Sequence, residues 1–410
     1  MESKIIEGIL TVKVNMIQAV ALAIMVFYLG HAIRKRSTVL RRFSIPAPVI
    51  GGLLFALVAS ILRLTGILAL DIDSTLQTTL MLMFFTTIGI GASLALLRRG
   101  GMPLLIFFAI TCVLAVAQNV LGIFLAKLTG IDPLLGIIAG AVTLMGGLGT
   151  GGAFGPLFEE WGVIGATTAA IASATFGMVA GNLMGGPIGE WCIKRYKIKT
   201  PAQQGVTVKE CEVIHDEAEG DDAVSGELLM KNLGFILVAM GFGAIVSFYF
   251  TKMGITLPPY IGAMLVACII RNAADFSKSF EIDLKAVDII ADISLSLYIT
   301  MAINNLKLWE LINLAVPLLI ILIGQIILMF FFCWLVVFFL MGRDYEATML
   351  SVGMIGFGMG AVPNALVNMQ ALSQKYGPSP NAFFLVPLVG AFLIDFVNAL
   401  IITGMANAFR

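Results

Sequence analysis

Apolar runs close to the length of a bilayer crossing recur along the whole chain, separated by short polar breaks. A spanning helix needs roughly 20 apolar residues. Twelve segments approach that length. The first six are 15–33, 43–62, 75–97, 103–128, 133–158 and 164–190. The last six are 229–250, 257–271, 286–305, 311–341, 346–370 and 380–407. Between the two sets lies the one long polar stretch, 191–228. It opens with Lys194, Arg195, Lys197 and Lys199 and turns acidic through Glu217, Glu219, Asp221 and Asp222. Such a stretch predicts a solvated linker. The chain therefore divides into a membrane half at 1–190, a linker at 191–228 and a second membrane half at 229–410. The first apolar run starts near Met16 and ends in a basic cluster, so a retained spanning helix is expected there.

The halves repeat one another. Pro48-Val-Ile-Gly-Gly-Leu-Leu opens segment two, and Pro259-Tyr-Ile-Gly-Ala-Met-Leu opens segment eight. GGLGTGG at 146–152 lies in segment five, and GFGMG at 356–360 lies in segment eleven. Gln118 sits in the middle of segment four and Gln325 in the middle of segment ten. The shared order of these matches points to duplication. Transporters are often built so, with substrate held where the repeats meet.

Glycine at alternate positions costs a helix about 1 kcal/mol per residue relative to alanine. Segments five and eleven should therefore break, the second more sharply because Pro363 and Asn364 follow its glycines. Broken backbone at membrane depth survives only where protein or water surrounds it. It bares amide N–H groups and helix N-termini, which hold a carboxylate without many buried cations. This makes Gly147, Gly149, Thr150, Gly151, Gly356, Gly358, Gly360 and Asn364 the candidate substrate-binding residues. Close helix packing through small residues is the competing reading, although that motif favours four-residue spacing.

Positive charge fixes the expected topology. If segments five and eleven enter and return on one side, most of the 25 lysines and arginines fall inside, including Arg34, Lys35, Arg36, Arg41 and Arg42. Each half then has five crossings, an odd number, so the second half is inverted. The expected fold is an all-α polytopic membrane protein of two inverted repeats, each with about five spanning helices and one broken or re-entrant glycine-rich segment. The linker around Cys211 is expected in the cytoplasm and both termini outside.

Composition agrees. Hydrophobic residues make up 59% of the 410 and charged residues only 12%, too little polar surface for a soluble chain of this size. The formal net charge is zero, and no dense basic stripe suggests nucleic acid. The cysteines (Cys112, Cys192, Cys211, Cys268, Cys333) are scattered and odd in number, unlike a disulfide framework or metal cluster. No GxxxxGK[ST] loop supports ATP-driven pumping. An intramembrane protease is also unsupported. The two histidines, His31 and His215, lie outside the apolar centres, and a single aspartate, Asp395, lies deep in a segment.

Asp395 is costly at that depth by roughly 2.5–3.5 kcal/mol, so it needs a cation or hydrogen-bond partner. Asn398 follows three residues later on the same helical face. Together they offer oxygens suited to Na⁺; a hydrogen-bonded structural aspartate is the other reading. Asn182, at the corresponding place in segment six, suits a functional role and helix-to-helix hydrogen bonding equally, whereas Gln118, Gln325, Thr86 and Thr300 are better explained as helix-to-helix hydrogen bonding. A channel or an antiporter also uses broken helices, but an antiporter normally needs a titratable carboxylate pair.

GGLGT at 146–150 paired with GFGMGAVPNA at 356–365 resembles the signature of the bacterial glutamate:sodium symporter family. So do IPAPVIGG at 45–52, LSLYITMA at 295–302, KLWEL at 307–311 and LVPLVGAFLIDFVNAL at 385–400. The similarity runs from segment two to segment twelve. It implies sodium-coupled uptake of L-glutamate across a bacterial inner membrane, with sodium as coupling ion and no cofactor. It also implies a homodimer, inverted repeats with two pore loops, and an elevator-like movement. The family's first loop often carries histidine after its paired glycines, where this chain has Leu148. Another amino acid or a small carboxylate is the alternative substrate.

Overall fold

The computed structural model describes residues 2–6, 9–43, 45–204, 224–252, 258–277 and 280–409. Cys211, His215 and the acidic run of the linker lie outside the described residues. Eight described helices are long and apolar enough to cross a membrane. Of the twelve expected segments, the third is a shorter helix, the fifth and eleventh are broken at their glycines, and the sixth is long but diluted by polar and small residues.

The first half starts with two strands, β1 (Glu2–Ile6) and β2 (Ile9–Val14), paired antiparallel with Ile6 opposite Ile9. Then come α1 (Met16–Arg36), α2 (Thr38–Arg42) and α3 (Ala47–Leu64). Strand β3 (Ala69–Ile72) adds in parallel to β2, with Thr11 opposite Ala69. This small sheet was not expected: its strands are short and alternate too weakly to stand out beside the apolar runs. Next are α4 (Thr75–Gly91) and α5 (Leu94–Thr129), the latter bent at Gly101. Segment five splits into α6 (Pro133–Ile137), a π-helical turn at Ile138–Val142, and α7 (Gly147–Glu160). Helix α8 (Ala166–Tyr196) has the length to span, but glycine, threonine, serine and asparagine dilute its apolar stretch.

The second half contains α9 (Gly226–Lys252), α10 (Pro259–Ser277), α11 (Leu284–Asn304) and α12 (Ala315–Phe332). Helix α12 runs on through a π-helical turn at Cys333–Val337. Segment eleven splits into α13 (Tyr345–Gly358) and α14 (Val362–Tyr376). The last crossing is α15 (Pro380–Leu388), a π-helical turn at Val389–Leu393, and α16 (Ile394–Asn407).

Caps set these boundaries. Asn15 and Gln18 form a reciprocal capping box at the start of α1. Asp132, Asp283 and Asp344 each accept a backbone N–H at the start of α6, α11 and α13. The last turn of α1 carries Arg34, Lys35 and Arg36, which suit the negative end of the helix dipole.

The helices pack into two bodies that cut across the order of the chain. One consists of α1, α3, α4, α9, α10 and α11. The other contains α5 to α8 and α12 to α16. Within the first body, Gly51 lets α3 meet α1 at Gly30, and Gly262 lets α10 meet α9 at Gly243. These glycines belong to the two matching Pro-x-Ile-Gly motifs and allow the same close backbone approach. The four described cysteines, Cys112, Cys192, Cys268 and Cys333, are free thiols.

Candidate functional site

The two glycine-rich breaks become the tips of two hairpins that approach from opposite ends of the second body. Helices α13 and α14 fold back on one another, with Gly356 against the backbone of Ala365 and Gly353 against Met369. Their base lies beside the end of α8, where Lys375 and Lys194 both reach Glu190 at 2.7 Å. Helix α6 instead follows the end of α5, with Gly136 on Gly122. Helix α7 then runs back along the first part of α8, with Gly155 at Thr167 and Gly151 at Ala170. Gly165, just before α8, abuts Leu314, just before α12. Helix α12 lies antiparallel to α5, since Gln325 meets Gln118 and Gly324 meets Leu125. The starts of α8 and α12 and the end of α5 therefore share one end, from which the first hairpin enters.

The tips meet halfway along α8. A Cβ on Gly147 would lie 2.9 Å from the carbonyl oxygen of Gly360. Gly177 packs on the Met359 carbonyl, and Asn364 donates to the Met178 carbonyl at 3.1 Å. Gly147 has φ of +62°, a left-handed conformation that costs other residues roughly 1–2 kcal/mol. It begins α7, so the N–H groups of the first turn, at Gly147, Leu148 and Gly149, have no carbonyl within their own helix to receive them. The second tip differs. Gly356 and Gly358 close α13, so this edge presents carbonyl oxygens at the negative end of a helix.

Not every glycine singled out from the sequence reaches the tips. Gly147 and Gly360 do. Gly149 faces Phe84 and Leu295 of the first body, and its carbonyl accepts the Tyr298 hydroxyl at 2.8 Å. Gly151 faces Thr143 and Ala170. Thr150 is buried, and its amide closes on the Gly146 carbonyl at 3.3 Å.

Buried side-chain amides clamp the breaks. Gln118 Nε2 donates to the Gly358 carbonyl, and Gln325 Nε2 donates to the Gln118 carbonyl, both at 2.7 Å. In the first break, Gly140 leaves helical geometry at ψ −131°. The neighbouring Ala141 N–H donates to Asn119 Oδ1 at 2.9 Å, and its carbonyl accepts Asn398 Nδ2 at 3.0 Å. Three buried carbonyl oxygens of these amides then have no hydrogen-bond partner among the described residues: Gln118 Oε1, Gln325 Oε1 and Asn398 Oδ1. Buried oxygens of this kind suit a hard cation. Asp395 is half-buried one helical turn before Asn398, just after the π-helical turn. Among the described residues no lysine or arginine forms an ion pair with it. It lies within electrostatic reach of Tyr260 in the first body, whose buried hydroxyl also has no partner among the described residues. Such π-turns frequently mark functional sites.

Asn119 is the member of this set that the sequence did not single out; adjacency to Gln118 in an apolar run was the available signal. Its removal would leave the Ala141 amide buried and unpaired, at about 1–3 kcal/mol. Asn119→Ala should therefore lower the thermal unfolding midpoint of the purified protein clearly. An unchanged midpoint would mean that water replaces the side chain.

Broken hairpins meeting inside a helical bundle, in a chain with many apolar crossings, define a multi-pass membrane transporter rather than an enzyme. The profile of the sodium/glutamate symporter family matches residues 12–378, and the chain belongs to that family. The sodium/glutamate symporter of Escherichia coli K12 is 38% identical over 382 residues, covering 93% of this chain and 94% of the relative. That of Haemophilus influenzae is 37% identical over 383 residues, covering 93% and 95%. Among solved structures, the sodium proton antiporter MjNhaP1 from Methanocaldococcus jannaschii aligns over 96% of this chain and 98% of its own. Its TM-score is 0.43 at 16% identity, a likeness from which shared topology does not follow.

Proposed function

We propose that the protein imports L-glutamate coupled to sodium. The observation that carries this reading is the meeting of two broken hairpins, with helix-terminal amides on one tip and unpartnered buried oxygens around both. In this reading a substrate carboxylate sits on the first tip, at the amides of Gly147 and Gly149, with Thr150 and Gly151 shaping the turn. Gly356, Gly358, Gly360 and Asn364 form the opposite wall. Sodium binds Asp395 and Asn398, where its charge offsets that of the incoming anion.

The remaining parts of the proposal concern the assembly. The linker end of α8 faces the cytoplasm of a bacterial cell, the protein lies in the inner membrane, and it works as a homodimer. The membrane halves at 1–190 and 229–410 are inverted repeats. The body carrying both hairpins slides against the other in an elevator movement. The division into two bodies, each drawing on both halves of the chain, supports this part of the reading. So does the glycine surface that α7 turns toward α4 and α11 at Gly149 and Gly152, since small residues let helices slide past one another.

The test is uptake of labelled L-glutamate into proteoliposomes with and without an inward sodium gradient. Uptake should rise steeply with the gradient and be blocked by unlabelled L-glutamate. Sodium-independent uptake, or stronger competition by another amino acid or a plain dicarboxylate, would overturn the assignment.

A further inference from the structure

A second cavity lies away from the hairpin tips, at the end of the first body where α3 and α11 finish. It has a volume of about 340 Å³ and is lined by Ser60, Arg63, Asp71, Asn304, Lys307 and Trp309, among others. That volume lies within the range of pockets that enclose small organic ligands, roughly 300–1,000 Å³. Asn304 is 4% exposed, yet among the described residues neither its Oδ1 nor its Nδ2 has a hydrogen-bond partner. Ser60 is 5% exposed, and its hydroxyl also lacks a partner among the described residues. Buried polar atoms left unpaired are costly, and a protein seldom keeps several on one cavity wall unless something pairs with them.

The charges describe what that something is. The Arg63 guanidinium lies over the Trp309 ring, 4.7 Å from its centroid, a cation–π contact that restrains the side chain. A guanidinium so held suits a carboxylate in two-pronged contact. Lys307 adds a second positive charge, partly offset by Glu310 at 3.7 Å. Asp71, on the edge strand β3, supplies a negative group to the same cavity. Donors and acceptors of both charges around an amino-acid-sized space match a small carboxylate that also carries a donor.

We propose that this cavity is a second binding site, separate from the transport site, for a small free carboxylate of amino-acid size. Its carboxylate lies on Arg63 and Asn304 Nδ2, and a donor group of the ligand reaches Asn304 Oδ1, Ser60 and Asp71. The site has a direct route to the other body. The turn at Leu308–Leu311 leads from α11 to α12, and Thr168 of α8 reaches the Lys307 carbonyl at 3.5 Å. Occupation would therefore bear on a strap that joins the two bodies.

The experiment measures equilibrium binding of labelled L-glutamate and labelled succinate to the purified full-length protein in lipid nanodiscs, in sodium-free choline buffer. Wild type, Arg63→Gln, Asn304→Leu and Asp395→Asn are compared. The expected result is saturable sodium-free binding that Arg63→Gln and Asn304→Leu weaken about ten-fold or more, equivalent to about 1.4 kcal/mol. Asp395→Asn should leave it unchanged. Preference for L-glutamate is expected, because its ammonium group supplies the donor, and equal binding of succinate would overturn the donor half of the proposal. The proposal is overturned by the absence of saturable binding at millimolar probe, which would mean a cavity filled with water. It is overturned equally by binding that Asp395→Asn removes and Arg63→Gln spares, which would belong to the transport site. Arg63 is exposed, so its variant decides the matter even where Asn304→Leu fails to fold. Failure here leaves the sodium-driven uptake test untouched, because that test uses a gradient and different residues.

Discussion

Asp395→Asn is expected to raise the sodium concentration for half-maximal glutamate uptake by roughly ten- to a hundred-fold while leaving insertion and folding intact. The change keeps the shape and one acceptor of the side chain but removes its charge. Interactions with charged groups are worth about 1.5–3 kcal/mol, which corresponds to that range in affinity. The expectation rests on the proposed sodium site. Among the described residues no basic side chain pairs with Asp395, and the unpartnered Oδ1 of Asn398 lies one turn away. By linkage, sodium and substrate must tighten each other's binding by the same factor, so the mutant should also lose sodium's effect on glutamate affinity. The measurement is initial uptake rate against sodium at fixed glutamate. An unmoved sodium midpoint in a well-expressed mutant would make Asp395 structural. The ion would then have to sit among neutral oxygens such as those of Gln118 and Gln325.

Two neighbouring glycines of the second hairpin should behave in opposite ways. Gly356→Ala places a Cβ on the backbone of Ala365, where α13 and α14 cross, and backbone cannot move aside cheaply. It should fail to yield a monodisperse, folded protein. Gly358→Ala places its Cβ 2.9 Å from the terminal methyl of Met329, and a methionine side chain adapts. The Gly358 carbonyl keeps its bond from Gln118. This variant should fold with a near-wild-type melting profile and lose most uptake, at least about ten-fold, which is about 1.4 kcal/mol. The reason is that alanine stiffens the break while its methyl presses on Met329 and Leu114 behind the tip. Size-exclusion profile, melting and uptake are measured on both variants. Normal transport by Gly358→Ala would reduce this glycine to a packing device.

Much of this architecture was legible in the chain. The apolar runs announced the crossings because a bilayer demands a fixed length of apolar helix. The glycines at 146–152 and 356–360 announced the breaks because alternating glycine cannot sustain a helix. The paired motifs around Gly51 and Gly262 pointed to a repeat, and both glycines sit at close helix contacts. Asp395 stood out because a carboxylate at that depth is expensive.

Other features depended on distance in space. Gln118 read as a generic hydrogen-bonding residue, and its bond to Gly358 spans 240 positions of sequence. A polar side chain in an apolar run shows that a partner exists but not where. Asn119 and Asn398 clamp the same residue, Ala141, from two helices whose mutual placement no local pattern encodes. The N-terminal strands were hidden because β2 gains its parallel partner only when residues 69–72 return beside it. Local periodicity and the solvation cost of polar atoms in lipid thus determined, from sequence alone, a helical membrane protein and the two segments that break. Tertiary packing decided that the two breaks meet tip to tip, that the halves interleave into two bodies, and that Arg63, Asn304 and Lys307 share one cavity. Those outcomes depend on contacts between helices far apart in the chain, which side-chain order along a single helix does not specify.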